Sequence, residues 1–134
     1  MGFFDLFSSK HDPNKRFVTE ILYQKNKLNQ VNMSPKTLKH LRNLGVSDTS
    51  ELKLEYFFYT NSVDKAKNLA DAIQKLNYTV KYDKAVLDKK LFVITGWTIK
   101  IKMADSIVLD WTKQMCDLGY KYDCDFDGWG TQPD

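Results

Sequence analysis

The strongest constraint on the fold is a periodicity that switches repeatedly between residues 52 and 130. Leu52, Leu54, Tyr56 and Phe58 alternate with Lys53, Glu55, Phe57 and Tyr59, which is the two-residue period of a strand running from Leu52 to Thr60. The pattern then becomes helical over Val63 to Leu76. Val63, Ala66, Ala70 and Ile73 form its apolar stripe, Ser62 is the expected N-cap, and Asp64 suits the positive end. A second strand is expected from Tyr78 to Val86, followed by a turn at Leu87 to Lys90. A third spans Leu91 to Lys102, with Trp97, Ile99 and Ile101 opposite Thr98, Lys100 and Lys102, and with Gly96 as a candidate bulge. Helical spacing returns from Asp105 to Leu118. Asp105 or Ser106 is the expected cap, Val108, Trp111, Met115 and Leu118 face inward, and Gly119 ends the helix. Finally Tyr122, Cys124 and Phe126 alternate with Asp123, Asp125 and Asp127 as a fourth strand.

The order β-α-β-β-α-β implies an α+β fold, a ferredoxin-like sandwich. Two right-handed split crossovers around a central hairpin give a four-stranded antiparallel sheet in the order 4-1-3-2, with both helices on one face. This reading assigns residues 51–134 to the ferredoxin-like domain and residues 1–50 to an N-terminal helical extension. In the extension, Phe17, Ile21 and Leu28 suggest a helix from Asn14 to Asn29. A second, short helix is expected after Ser34 as N-cap, with Pro35 at its first position, a stripe of Leu38, Leu41 and Leu44, and Gly45 past its end. These helices are candidates to cover the open sheet face. The apolar start, containing Phe3, Phe4, Leu6 and Phe7, is expected to pack on the domain, because exposed aromatic clusters are unusual.

Composition removes several classes of function. No stretch approaches the ~18 apolar residues of a membrane span. Met1 to Phe7 is too short for a signal peptide and lacks a basic n-region, and Leu6 stands where myristoylation favours Ser or Thr. A net charge of +3, with both signs intermixed, is too small to diagnose a nucleic-acid binder. The two cysteines, Cys116 and Cys124, form no C-x-x-C pair and read as small core residues in a reduced, cytoplasmic setting. His11 and His40 lie outside the alternating region and have no evident nucleophile–base partner. No Gly-rich phosphate cradle exists. The expectation is a protein that is not an enzyme and needs no cofactor.

The most conspicuous chemistry is Asp123-Cys-Asp-Phe-Asp127-Gly128, which matches the opening of a calcium-binding EF-hand loop. Its continuation does not match: Gly130 stands where an aliphatic is usual, Pro133 precedes the twelfth position at Asp134, and no exiting helix follows. The alternative is an acidic strand face, its carboxylates ~7 Å apart and seeking a cation. Lys53 on the neighbouring strand, or a basic partner, would supply one. Trp111 falls on the core stripe of its helix. Trp129, between Gly128 and Gly130, could either close the end of the domain or serve as a partner anchor.

RNA-recognition domains share this strand order and stack bases on aromatics of the open face. Phe57 and Tyr59 could present such rings. The third strand, however, lacks the glycine and aromatic spacing of that motif, and the acidic last strand would repel phosphate.

The ending Tyr122-Asp-Cys-Asp-Phe-Asp-Gly-Trp-Gly-Thr131 resembles the terminal signature of the regulator of ribonuclease E activity B family, split here into Tyr122-Asp123 and Asp127-Gly-Trp-Gly-Thr131. The resemblance extends over roughly residues 35 to 131 and takes in the Leu38-to-Gly45 helix and Tyr56-Phe57-Phe58-Tyr59. It implies a ferredoxin-like fold and a cytosolic, non-enzymatic inhibitor that docks on a ribonuclease and alters RNA decay. On that reading Asp123, Asp125, Asp127 and Trp129 lie at or near the surface that meets the protein partner. The family's best-known inhibitors are strongly acidic, whereas this chain is slightly basic and carries the extension before Asn32.

Overall fold

A computed structural model describes residues 16–133. The apolar start, His11, the first residues of the expected helix at Asn14, and Asp134 lie outside the described residues. The elements are α1 (Glu20–Asn43), β1 (Glu51–Thr60), α2 (Val63–Gln74), β2 (Lys81–Lys84), β3 (Phe92–Lys102), α3 (Asp105–Lys121) and β4 (Asp125–Thr131). The antiparallel sheet has the order β2-β3-β1-β4, the expected order counted from the other edge.

β1 is the centre of the molecule. Leu54, Tyr56, Phe58 and Thr60 have no measurable exposure on the helix-facing side. Burying each of the three large apolar side chains stabilises the fold by roughly 1.5–3 kcal/mol. α2 meets them with Ala66, Leu69, Ala70 and Ile73, and α3 with Val108, Trp111, Met115 and Cys116. Leu38 and Leu41 of α1 and Val46 after it belong to the same cluster. Ser62 caps α2 as expected, its hydroxyl accepting from Lys65 N. Val63, expected in the stripe, is exposed, and Leu69 replaces it.

Several local expectations are corrected. The two N-terminal helices are one, capped by Thr19 and continuing through Pro35. Ser34 is therefore not a cap; it is buried inside the helix. An internal proline costs a helix about 3 kcal/mol in isolation. Here Asn26, Gln30, Ser34, Leu38 and Leu41, spaced three or four apart, hold both halves against α3 and β4. β2 shrinks to four exposed residues, and Tyr78 and Val80 precede it as core-packed coil. α3 starts after Ala104, without a side-chain cap, and Asp105 instead pairs with Arg42 at 2.8 Å. The helix passes Gly119 and ends at Lys121. The irregularity in β3 is not at Gly96. An extra residue lies between Trp97 and Lys100, opposite Lys53 and Glu55. Thr98 fills it, its hydroxyl accepting from Leu54 N at 2.9 Å and donating to Ile99 O at 2.6 Å. The bulge puts Trp97 and Ile101 on opposite faces.

Gly96 has a different task. A Cβ there would stand 1.9 Å from Thr79 O and 2.5 Å from the Tyr56 hydroxyl. The missing side chain lets Thr79 cross β3, where its N–H donates to Trp97 O, its hydroxyl accepts from Trp97 N, and its carbonyl accepts from the Tyr56 hydroxyl. Gly96→Ala is expected to destabilise the protein by about 3 kcal/mol or more, because backbone must move. Urea denaturation checks this; a loss below ~1 kcal/mol would show that the crossing is not tight.

Candidate functional site

The acidic run does not form one strand face. Asp123 precedes β4 in a left-handed turn, at φ 59°, a conformation Asp tolerates better than most residues. This directs its carboxylate inward. It accepts Phe17 N at 2.8 Å and Val18 N at 2.7 Å. Lys65 of α2 lies 2.6 Å away and Arg16 3.5 Å away. The expected counter-charge, Lys53, is elsewhere; its carbonyl accepts the Thr131 hydroxyl at 2.7 Å. Asp123 is thus a clamp joining the N-terminal arm, α2 and the α3–β4 turn. Thr60 donates to its carbonyl at 3.0 Å, and Arg16 also donates to Tyr120 O and lies over the Tyr120 ring. With both oxygens committed, Asp123 is a poor candidate for a calcium ligand. Among the described residues no group of three His, Cys, Asp or Glu is placed to hold a metal.

Asp125 and Asp127 are brought together at the outer edge of β4. Phe58 pairs with Phe126 but Phe57 with Gly128, so Asp127 is the extra residue of a bulge. Gly128 makes the bulge possible at φ 123°. Asp127 is left exposed, while Asp125, opposite Tyr59, is half-buried beside α1. Asn26 donates to Asp125 Oδ1 at 3.0 Å and to Phe126 O at 2.7 Å. The polar face of α1 therefore blunts the sheet edge that charge alone was expected to protect. Burial, reinforced by Asp127, pushes the Asp125 carboxyl up to about 6. Loss of solvation also raises Asp127.

Trp129 lies on the helix side of β4, opposite Tyr56. Its indole N–H donates to Ser34 Oγ at 3.0 Å, and Ser34 in turn contacts Thr112 at 3.0 Å. Its ring meets Trp111 edge-on at 6.3 Å. This geometry corresponds to closure of the domain's end. Phe57 and Tyr59 lie on the other sheet face with Trp97 and Val93. α1, expected as a cover for that face, packs beside α3 and along β4 instead. The roles of Ser34, Asn26 and Lys65 are set by tertiary contact and have no separate signature in the chain.

Both cysteines are buried, and burial raises each thiol to about 12. They stay protonated at neutral pH and serve as packing. No helix among the described residues is long and apolar enough to cross a membrane.

A family model described as Regulator of ribonuclease activity B matches residues 32–131. The chain belongs to that family. No curated protein matches it by sequence. The matched region begins within α1 and ends with β4, so it contains Ser34, Asp123 and Trp129 together. The backbone groups clamped by Asp123, and the Asn26 amide on β4, come from residues before it. Ribonuclease regulators of this family are not a catalytic class.

The Asp125 environment has a measurable sign. Its folded pKa is raised from 3.8 to about 6, so the folded state binds the proton more tightly than the unfolded state. Stability is then lost as pH rises through that interval. Asp125→Asn keeps an acceptor for Asn26 and removes the charge. It is expected to stabilise the protein at pH 7.5 by on the order of 1–2 kcal/mol, with the gain vanishing below pH ~4. Denaturation across pH checks this; a pH-independent difference would contradict it.

Proposed function

We propose that this chain is a non-enzymatic regulator that docks on a ribonuclease, or on a protein associated with one, and so modulates RNA decay in the cytoplasm. The observation that carries the reading is the family match across residues 32–131. The sequence of elements and the strand order support classing the fold as a ferredoxin-like sandwich.

Asp125 and Asp127 are the part of the acidic run suited to meeting the partner. Asp127 projects from its bulge, and Asp125 is held in surroundings that disfavour its charge. An Arg or Lys brought by a partner would favour the ionised pair. Asp123 and Trp129 would support this edge from behind, the first through the arm and the second through Ser34.

A second reading, direct binding of single-stranded RNA, has one observation in its favour: Phe57 and Tyr59 lie on the sheet face away from the helices, along with Trp97. Asp125, paired with Tyr59 and ionised above pH ~6, works against phosphate there. Affinity purification from a bacterial lysate separates the two readings, with Asp125→Lys/Asp127→Lys as the control. The docking reading expects a ribonuclease or a ribonuclease-bound protein, with recovery falling at least tenfold on charge reversal. Recovery of RNA alone, abolished by Phe57→Ala/Tyr59→Ala, would replace it with the second reading.

A further inference from the structure

We propose that the open sheet face is where two copies of this chain meet, related by a two-fold axis that lies between the two sheets and runs across the strands. The inference goes beyond the ribonuclease-docking reading and does not rest on it.

Strand register arranges the face in four rows. The first, from β2 to β4, is Asp83, Val93, Tyr59 and Asp125. The second is Lys81, Thr95, Phe57 and Gly128. The third is Trp97, Glu55 and Gly130, and the fourth is Lys100 beside Lys53. The centre is therefore aromatic, one end carries two carboxylates, and the other carries two ammonium groups. Glu55 and Lys81 line one cleft of about 260 Å³ with Trp97, so the central charges offset each other. Beyond the fourth row, Glu51 and Lys102 stand opposite each other and do the same. The charges of the first and fourth rows are not offset. Lys53 and Lys100 are directly opposite, which like charges disfavour. Among the described residues none of Lys53, Lys100, Asp83 and Asp125 has an ion-pair partner.

This polarity selects both the occupant and its orientation. Two such faces joined about an axis along the strands would bring like-charged ends together. About an axis across the strands, the first row of each copy lies over the fourth row of the other, as an isologous interface requires. Asp83 then faces the second copy's Lys100, and Asp125 the second copy's Lys53, each one strand to the side. Packed sheets lie ~10 Å apart, a gap that these side chains span together. In the middle, Trp97 lies over the second copy's Thr95 and Phe57. Gly128 and Gly130 leave room on the β4 side, where a Cβ at Gly130 would meet nothing within 4 Å. Thr95 Oγ1 is buried on this face with no hydrogen-bond partner among the described residues. A buried hydroxyl normally has one, and the second copy's Trp97 indole N–H is the donor that the two-fold brings over it. At the spacings of a sheet the face measures roughly 20 by 23 Å. That is small for a permanent dimer, so the two copies associate reversibly at micromolar concentration. Association withholds Phe57, Tyr59 and Trp97 from any other ligand.

The test is sedimentation velocity on the full chain from about 1 to about 200 μM, the range expected for a face of this size. The average mass should rise from 15.6 kDa toward twice that value. Hydroxyl-radical oxidation of Trp97 and Tyr59 should fall several-fold over the same range. Asp83 and Lys100 are exposed, so Asp83→Lys and Lys100→Asp should leave the far-ultraviolet circular dichroism unchanged. Each variant alone should need at least tenfold higher concentration to associate, because each sets two like-charged pairs against one another. Mixed in equal amounts, the two variants should associate as the wild type does, since both pairs are then opposite in sign. A wild type that stays monomeric, association that leaves Trp97 oxidation unchanged, single variants that associate normally, or a mixture no better than its components would each overturn the proposal. Protection of Trp97 in a monomer by added single-stranded RNA would overturn it too, by giving the face to nucleic acid.

Discussion

The carboxylate of Asp123 is the contact on which the arrangement of the molecule depends. It is nearly buried, it accepts two successive backbone N–H groups, and it is paired with a cation from α2. A carboxylate in such surroundings is stable only with its partners in place, since an unpaired buried charge is strongly destabilising. The contact joins segments more than 100 residues apart in the chain. It sets where the arm starts, and hence where α1 begins. From there α1 runs along α3 and the β4 edge, stacking Tyr23 on Tyr120 at 4.3 Å and pairing Lys27 with Asp117 at 2.8 Å. On the same helix Asn26 reaches Phe126, and farther along Ser34 meets Trp129.

This organisation divides the acidic run by role. One carboxylate holds the fold, one is half-buried under α1, and one is extruded by a bulge. Equal spacing in sequence conceals this, because the left-handed turn at Asp123 and the extra residue at Asp127 both break the two-residue period. The consequence for function is that a charge-reversal experiment on all three would confuse loss of folding with loss of docking. Asp125 and Asp127 are the residues at which the regulator's surface can be changed with the clamp intact.

Periodicity made much of the fold legible. The alternation in Leu54, Tyr56 and Phe58 is strict because β1 is central and has one wholly buried face. Ser62 could be recognised as a cap because its hydroxyl acts three residues away. What escaped the sequence depended on distant partners. Ser34-Pro35 has the local chemistry of a helix start, yet contacts with Thr112 and Trp129 keep the helix continuous. Gly96 resembles a bulge in a strand pattern, but it is needed for the passage of Thr79. Trp129 could be narrowed to closure or docking from its flanking glycines, but its hydrogen bond to Ser34, 95 residues away in the chain, was not legible there. The resemblance to the family was carried by Tyr122 to Thr131, the stretch that holds the β4 bulge, Gly128 and Trp129.

Asp123, by fixing the residues before α1, seats that helix on β4 and so protects the sheet edge. Hydrogen exchange read by mass spectrometry on the wild type and on Asp123→Ala tests it directly. In the variant, the first half of α1 and the amides of 125–131 should lose protection together, while the β1–β3 pairing keeps its own. Unchanged exchange in α1 and β4, or an equal loss across the whole sheet, would contradict it.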